Sequence, residues 1–336
     1  MTTKIHSVLL NVILQYLGFY DKHVFKKMSK YTDTINIKNL FDIYHKYSIK
    51  FDDEILKRYK YATKLKMKNN RRITNINFMT KLKELDISGT CMINNGGISD
   101  LTDLEILNME SNSNITELNH MRKLVKLDIS GTCKINNRGI SKLVKLQVLN
   151  IGFNDKITEM LHMTRLRELN VSGYNNRKVT DVTTNLEKIV VSHNKSITNI
   201  NHLTKLKELI ANGHVCGLND MGISNLTNLI KLEANYNSGI TNINHMVKLT
   251  ELEAIGVTSG IGDNGIRNLT NLEKMRMNYN PKITDINHMT KLKNLEAAGE
   301  NCRISDSGIR MLTNLETLFS IYNSRITRNN TQPSYQ

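Results

Sequence analysis

From Leu65 to Asn323 the chain repeats itself. The dipeptide Ile-Thr returns at Ile73, Ile115, Ile157, Ile197, Ile240, Ile283 and Ile326, in steps of 42, 42, 40, 43, 43 and 43 residues. Random polar sequence does not hold such a period. A period of this size means a stack of like units, none able to bury its apolar face alone. Each step contains two shorter units. One reads Leu104-x-x-Leu107-x-Met109-x-x-Asn112 and the next Leu124-x-x-Leu127-x-Ile129-x-x-Thr132. Their leading leucines fall at 82, 104, 124, 146, 166, 186, 206, 229, 249, 272, 292 and 315, always 20 to 23 residues apart.

This pattern and spacing resemble those of leucine-rich repeats. The physics agrees. Leu107 and Met109 alternate with Asn108 and Glu110, so a short strand turns its apolar side chains one way. Stacking such strands makes a parallel sheet with a continuous core behind it. The expected fold is α/β: a leucine-rich-repeat solenoid of about 12 or 13 coils, with a parallel concave sheet and irregular or briefly helical convex segments.

The two unit types differ after the strand. One ends on an asparagine: Asn70, Asn112, Asn154, Asn194, Asn237, Asn280 or Asn323. These amides should form a buried ladder, because turn backbone inside a solenoid needs polar partners. The other type runs through Cys-x-Ile-Asn-Asn-x-Gly-Ile, as in Cys133 to Ile140, and predicts one helical turn there. Its glycines, such as Gly139 and Gly222, are expected to supply a left-handed backbone. With cysteine at 91, 133, 216 and 302, this second type resembles the cysteine-containing repeats of F-box proteins.

Residues 1–60 do not follow the repeat. Val8, Leu9, Val12, Ile13, Tyr16 and Leu17 make a helical stripe, Val24, Phe25 and Met28 a second, and Leu40, Phe41, Tyr44 and Tyr47 a third. Asp52 to Tyr61 reads as a short helix leading into the first coil. A helical cap over the exposed end of the core is expected on solenoid logic alone. A sharper reading comes from order. Val8 to Leu17, then Asp21, then Met28-Ser29-Lys30 resemble an F-box, a helical segment that in its family docks on a Skp-type adaptor. An F-box ahead of leucine-rich repeats implies a substrate receptor of an SCF-type ubiquitin ligase. The resemblance makes Leu9, Leu10, Ile13, Leu14 and Leu17 the adaptor-binding face, unless they face the cap's own core.

Charge sharpens the division. Residues 1–72 carry 16 Lys/Arg against 6 Asp/Glu, whereas the remaining 264 carry 30 against 25. The repeats are therefore nearly balanced, which argues against a nucleic-acid stripe along them. Cysteines at equivalent turns lie coils apart, so they read as buried free thiols of a reduced, intracellular, cytoplasmic protein. No run of about 20 apolar residues exists, and no membrane span is expected. Asn11 and Gln15 interrupt the run from Val8 to Leu17, which argues against a secretion leader. Richness in Lys, Asn and Ile resembles proteins of giant amoeba-infecting viruses or low-GC protists; a viral protein would act in the host cytoplasm.

No nucleophile motif, phosphate loop or paired-carboxylate arrangement is present, so neither enzyme chemistry nor a cofactor is expected. His120, His162, His202, His245 and His288 share one repeat position. Successive members stand two coils apart, roughly 10 Å, too far to share a metal; a turn residue bonding backbone is expected instead. Recognition should lie on the concave lane, the side chain between the two core residues of each strand. Its notable members are Asp86, Asp128, Glu233, Glu253, Arg276, Glu296 and Phe319, with Tyr236 and Tyr279 alongside. The tyrosines serve either recognition or packing on the next coil. The expected organisation is 1–60 as the F-box-like segment and linker, 61–325 as the solenoid and 326–336 as a polar tail. The expected function is a non-enzymatic adaptor binding an unknown target protein. The alternative is a leucine-rich scaffold with a helical cap and no ubiquitin-ligase link.

Overall fold

The computed structural model describes residues 39–40, 51–57, 59–174 and 184–327. The chain forms two compact units, Met1–Arg165 and Leu166–Gln336. In the first, β1 (Asn39–Leu40), β2 (Lys64–Lys66), β3 (Glu84–Asp86), β4 (Ile106–Asn108), β5 (Lys126–Asp128) and β6 (Val148–Asn150) pair in chain order, all parallel. In the second, β7 (Glu168–Asn170), β8 (Lys188–Val190), β9 (Glu208–Ile210), β10 (Lys231–Glu233), β11 (Glu251–Glu253), β12 (Lys274–Arg276), β13 (Asn294–Glu296) and β14 (Thr317–Phe319) do the same. Each unit is thus a parallel-sheet leucine-rich-repeat stack with little helix.

Register follows from the leucines. From β2 to β14 every strand buries its middle residue and leaves the flanking two at least partly open. Leu65, Leu85, Leu107, Leu127 and Leu149 align across the strands of the first unit, and Leu232, Leu252, Met275, Leu295 and Leu318 across those of the second. A slip of one residue would turn this row into solvent. Each aliphatic side chain so buried contributes about 1.5–3 kcal/mol.

The asparagine ladder is present at all seven positions, every one buried. Asn112 donates its amide N–H to Ile87 O at 3.0 Å, and Asn237 to Ala211 O at 2.9 Å. Asn280 donates to both Ala254 O and Ile261 O, at 2.8 and 3.1 Å, while its Oδ1 accepts from Lys282 N. The same two-way pattern closes the last turn at Asn323.

α1 (Asp53–Lys57) falls within the short helix expected over Asp52 to Tyr61, and the other turns fall at the Gly-Ile step of the second unit type: α2 (Asn137–Ile140), α3 (Asp220–Ile223) and α4 (Asp263–Ile266), with 3-10 turns at Asn95–Ile98 and Asp306–Ile309. Their glycines have another reason than the one expected. None of Gly97, Gly139, Gly222 or Gly265 has a positive φ. A Cβ on Gly265 would collide with Thr241 O of the preceding coil, and one on Gly139 with Thr116 O. This close approach lets Gly265 O accept from Ile243 N at 2.9 Å and Gly139 O from Leu118 N at 2.8 Å.

Coil geometry begins upstream of residue 61. Asn70 donates to Phe51 O, and Asp53 Oδ1 accepts from Thr74 N at 2.9 Å. Asp220 with Thr241 and Asp263 with Thr284 repeat the second contact between later coils. Leu40, expected in a third helix, pairs with Leu65 in β1 instead. The edge of β2 offers unpaired N–H and C=O groups, which a strand satisfies and a helix cannot. Leu9, Leu10, Ile13, Leu14 and Leu17, and the tail beyond Thr327, lie outside the described residues. Among the described residues no helix is long and apolar enough to cross a membrane.

All four cysteines are free thiols. Cys91 and Cys133 donate to Met67 O and Met109 O at 2.7 and 2.9 Å. Burial pushes both up to about 11, against the opposing pull of neighbouring backbone hydrogen bonds. Cys216 and Cys302 reach Val191 O and Met277 O at 3.7 and 3.8 Å. Ser259 stands at the same turn, where its hydroxyl is buried with no hydrogen-bond partner. Oxygen sits closer to Cβ than sulfur does, so the serine falls short where cysteine reaches.

Two stability measurements check this account. Asn280→Ala strands three backbone groups and should cost about 3 kcal/mol or more in urea unfolding. Ser259→Cys should raise the thermal midpoint, gaining about 1 kcal/mol by removing a buried orphan hydroxyl; a lower midpoint contradicts the isosteric reading.

Candidate functional site

The open face of each sheet carries two rows of side chains, from the first and third strand positions. The third-position row contains Asp86 and Asp128 in the first unit. In the second it contains Glu233, Glu253, Arg276, Glu296 and Phe319. All are half-buried except Arg276, which is exposed.

This row is a bonded network. Arg276 spans its neighbours, its Nη1 on Glu253 Oε1 and its Nε on Glu296 Oε2, both at 2.9 Å. Lys231 pairs with Glu233 at 2.9 Å, and that bond holds its ammonium above the usual lysine range. Two positions further along each coil stands a second set of amides. Asn212 donates to Glu233, Asn235 to Glu253 and Asn278 to Glu296, at 3.3, 2.9 and 3.1 Å. Their own oxygens accept backbone N–H groups of the next coil, from Asn235, Ile255 and Ala298. In the first unit Asp128 accepts from Ser130 N, Ser130 Oγ and Asn150 Nδ2, and Asp86 from Ser88 N and Oγ. The lane's carboxylates are therefore engaged within the fold, by cations in the second unit and by neutral donors at Asp86 and Asp128.

The first-position row adds alternating charge. Lys188, Glu208, Lys231, Glu251 and Lys274 change sign from coil to coil, with Lys188–Glu208 at 2.8 Å and Lys274–Glu251 at 3.0 Å. Lys64–Glu84 repeats this at 3.0 Å in the first unit. Such exposed pairs contribute little each, about 0–1 kcal/mol; their effect is to hold the face near neutrality.

The tyrosines occupy a special position. The residue before each ladder asparagine is left-handed: Asn69, Ser111, Phe153, His193, Tyr236, Tyr279 and Tyr322, with φ between 58° and 61°. For a bulky side chain this conformation is an outlier costing of order 1–2 kcal/mol. Beneath the His193, Tyr236 and Tyr279 rings lies a glycine of the next coil. A Cβ on Gly256 would strike the Tyr236 ring, one on Gly299 the Tyr279 ring and one on Gly213 the His193 ring. The rings nevertheless stay open to solvent: Tyr236 is 40%, Tyr279 45% and Tyr322 76% exposed. Packing on the next coil and exposure are both realised.

Four of the five recurring histidines bond backbone. Nε2 of His120, His162, His245 and His288 lies 3.0–3.2 Å from the carbonyl of Ile98, Ile140, Ile223 and Ile266 respectively. A carbonyl only accepts, so these rings carry the proton on Nε2. Sequence reasoning missed the Asn212–Asn235–Asn278 row and the left-handed position. The sign alternation of the first strand position was visible in sequence and marks the ion-paired row.

No family model and no curated protein matches the chain. Solved structures match its fold. The functional domain of InlJ from Listeria monocytogenes, which includes a cysteine ladder, is 20% identical over 80% of this chain and 65% of its own, with a TM-score of 0.54. The Leptospira interrogans LRR protein LIC12759 is 18% identical over 87% and 91%, with a TM-score of 0.54. TLR13, solved as its complex with ssRNA13, is 17% identical over 87% of this chain and 50% of the receptor chain, with a TM-score of 0.55. These likenesses define the chain as leucine-rich-repeat in fold.

If the left-handed rings were needed for folding, replacing one would destabilise the stack. Asn69 shows that asparagine fits this position. Tyr279→Asn is therefore expected to leave the thermal midpoint unchanged or raised, because asparagine tolerates the left-handed region. A loss above about 1 kcal/mol would assign the ring to packing instead.

Proposed function

We propose that the chain is a non-enzymatic protein-binding adaptor whose recognition surface is the open face of its repeat sheets. The carrying observation is a face of side chains held by hydrogen bonds yet reachable by solvent, edged by exposed aromatic rings. Pre-ordered side chains lose little entropy on binding, and aromatic residues with arginine are the usual anchors of protein interfaces. In this reading Asp86, Asp128, Glu233, Glu253, Arg276, Glu296 and Phe319, with Tyr236 and Tyr279, contact the target.

The finer reading is a substrate receptor of an SCF-type ubiquitin ligase. Its support is the F-box resemblance of Val8 to Lys30 and the Cys-type repeat. Leu9, Leu10, Ile13, Leu14 and Leu17 would meet the Skp-type adaptor. Free thiols at equivalent turns favour a reducing compartment, and the composition favours a viral or protist source acting in a eukaryotic cytoplasm. The second reading is a leucine-rich scaffold with no ubiquitin-ligase link.

Co-expression with a recombinant Skp-type adaptor separates the two. The ligase reading expects a complex stable through gel filtration and weakened at least tenfold by Leu10→Asp. No complex, or one indifferent to that substitution, leaves the scaffold.

A further inference from the structure

The rings at the edge of the second unit, all exposed except half-buried His193, form an ordered series. Tyr174, His193, His214, Tyr236, Tyr279 and Tyr322 follow one another along the coils, with Val257 and Glu300 in the intervening places. Ring centroids on adjacent coils are 5.2 Å apart for Tyr174 and His193, and 5.6 Å for His214 and Tyr236. Tyr236, Tyr279 and Tyr322 occur on every second coil, so their repeat is about 10 Å on sheet spacing. Each interval carries one further exposed side chain, Val257 in the first and Glu300 in the second. The chain keeps bulky rings at a left-handed position that asparagine fills in the first coil. Strain of this kind persists where the side chain is needed for something besides the backbone.

We propose that this ridge binds a proline-rich segment carrying basic residues, laid along the coils as a polyproline II helix. That helix has three residues per turn and a rise of about 3.1 Å, a repeat of about 9.3 Å. One turn thus spans one tyrosine-to-tyrosine interval, and successive turns meet successive rings. Proline-rich segments dock on aromatic-lined surfaces because their conformation is set before binding and little entropy is lost. Charge selects the basic residues. Glu300 stands on the ridge itself, exposed, whereas Glu233, Glu253 and Glu296 beside it are held by Lys231 and Arg276. The same balance disfavours a nucleic-acid strand, which would stack on the rings but needs a basic groove. The inference rests on the reading of the repeats as a protein-binding surface and narrows the partner's chemistry; it does not depend on the adaptor.

The test is a fluorescence titration of the full chain with a labelled peptide of four Pro-Pro-Arg triplets. Two comparison probes are a Gly-Ser-Arg peptide of equal charge and length and a single-stranded oligothymidine. The proline peptide should bind at least tenfold tighter than either. The triple variant Tyr236→Asn, Tyr279→Asn, Tyr322→Asn should weaken it at least tenfold with an unchanged circular dichroism spectrum. If the triple variant does not fold, Glu300→Lys, at an exposed site, should weaken the proline peptide at least threefold and leave the melting curve in place. Equal binding of the two peptides, tighter binding of the oligonucleotide, no binding, or proline-peptide binding indifferent to the variants overturns the proposal. Because the peptide assay contains no adaptor, its failure leaves the ligase reading intact, and failed adaptor binding leaves this one.

Discussion

Everything in this structure depends on how buried turn backbone is given hydrogen-bond partners. A stack of three-residue strands leaves most of each coil in irregular conformation, and much of that backbone faces inward, away from water. Unpaired, each such group costs about 1–3 kcal/mol. The ladder asparagines answer this with one side chain that donates across to the preceding coil and accepts within its own turn, as Asn280 does. The cysteine thiols and the histidine Nε2 groups perform lesser versions of the same task at other turns. Residues that elsewhere mark metal or redox chemistry are here partners for carbonyl oxygens.

The open face obeys the same rule with charged groups. Arg276 is shared between two glutamates, and each of those glutamates also receives an asparagine amide. A row that looks acidic in sequence presents an ordered, nearly balanced surface. Long-range attraction from such a surface is weak and further screened by salt. Discrimination must come from shape, from hydrogen-bond pattern and from the rings along the edge.

Much of this was legible in the sequence, for a definite reason. A stacking fold writes its constraints once per coil, so the positions of Leu107, Asn112 and Gly139 could be read by recurrence. Recurrence located the turn glycines but not their cause; the approach of Thr116 O to Gly139 is a contact between residues more than 20 apart. Nor could it show that the residue before each ladder asparagine is left-handed, since Asn, Ser, Phe, His and Tyr share no local preference for it. The start of the coil geometry at Phe51 and Asp53 was hidden because Ile55-Leu56 stands where later coils carry Gly-Ile, although the spacings of the bonds to Asn70 and Thr74 are those of later coils.

The two coil types are complementary halves rather than variants of one unit. The Asn-type coil sends its ladder amide back to a Cys-type coil and presents the threonine carbonyl that only glycine can approach. The Cys-type coil supplies that glycine, and in places an aspartate that caps the next threonine. Two coils of one type placed side by side would leave the threonine carbonyl without its glycine, or the glycine without its carbonyl. The quantum by which such a protein lengthens or shortens is therefore the pair. A lineage, or an engineer, can change its reach only in increments of about 42 residues.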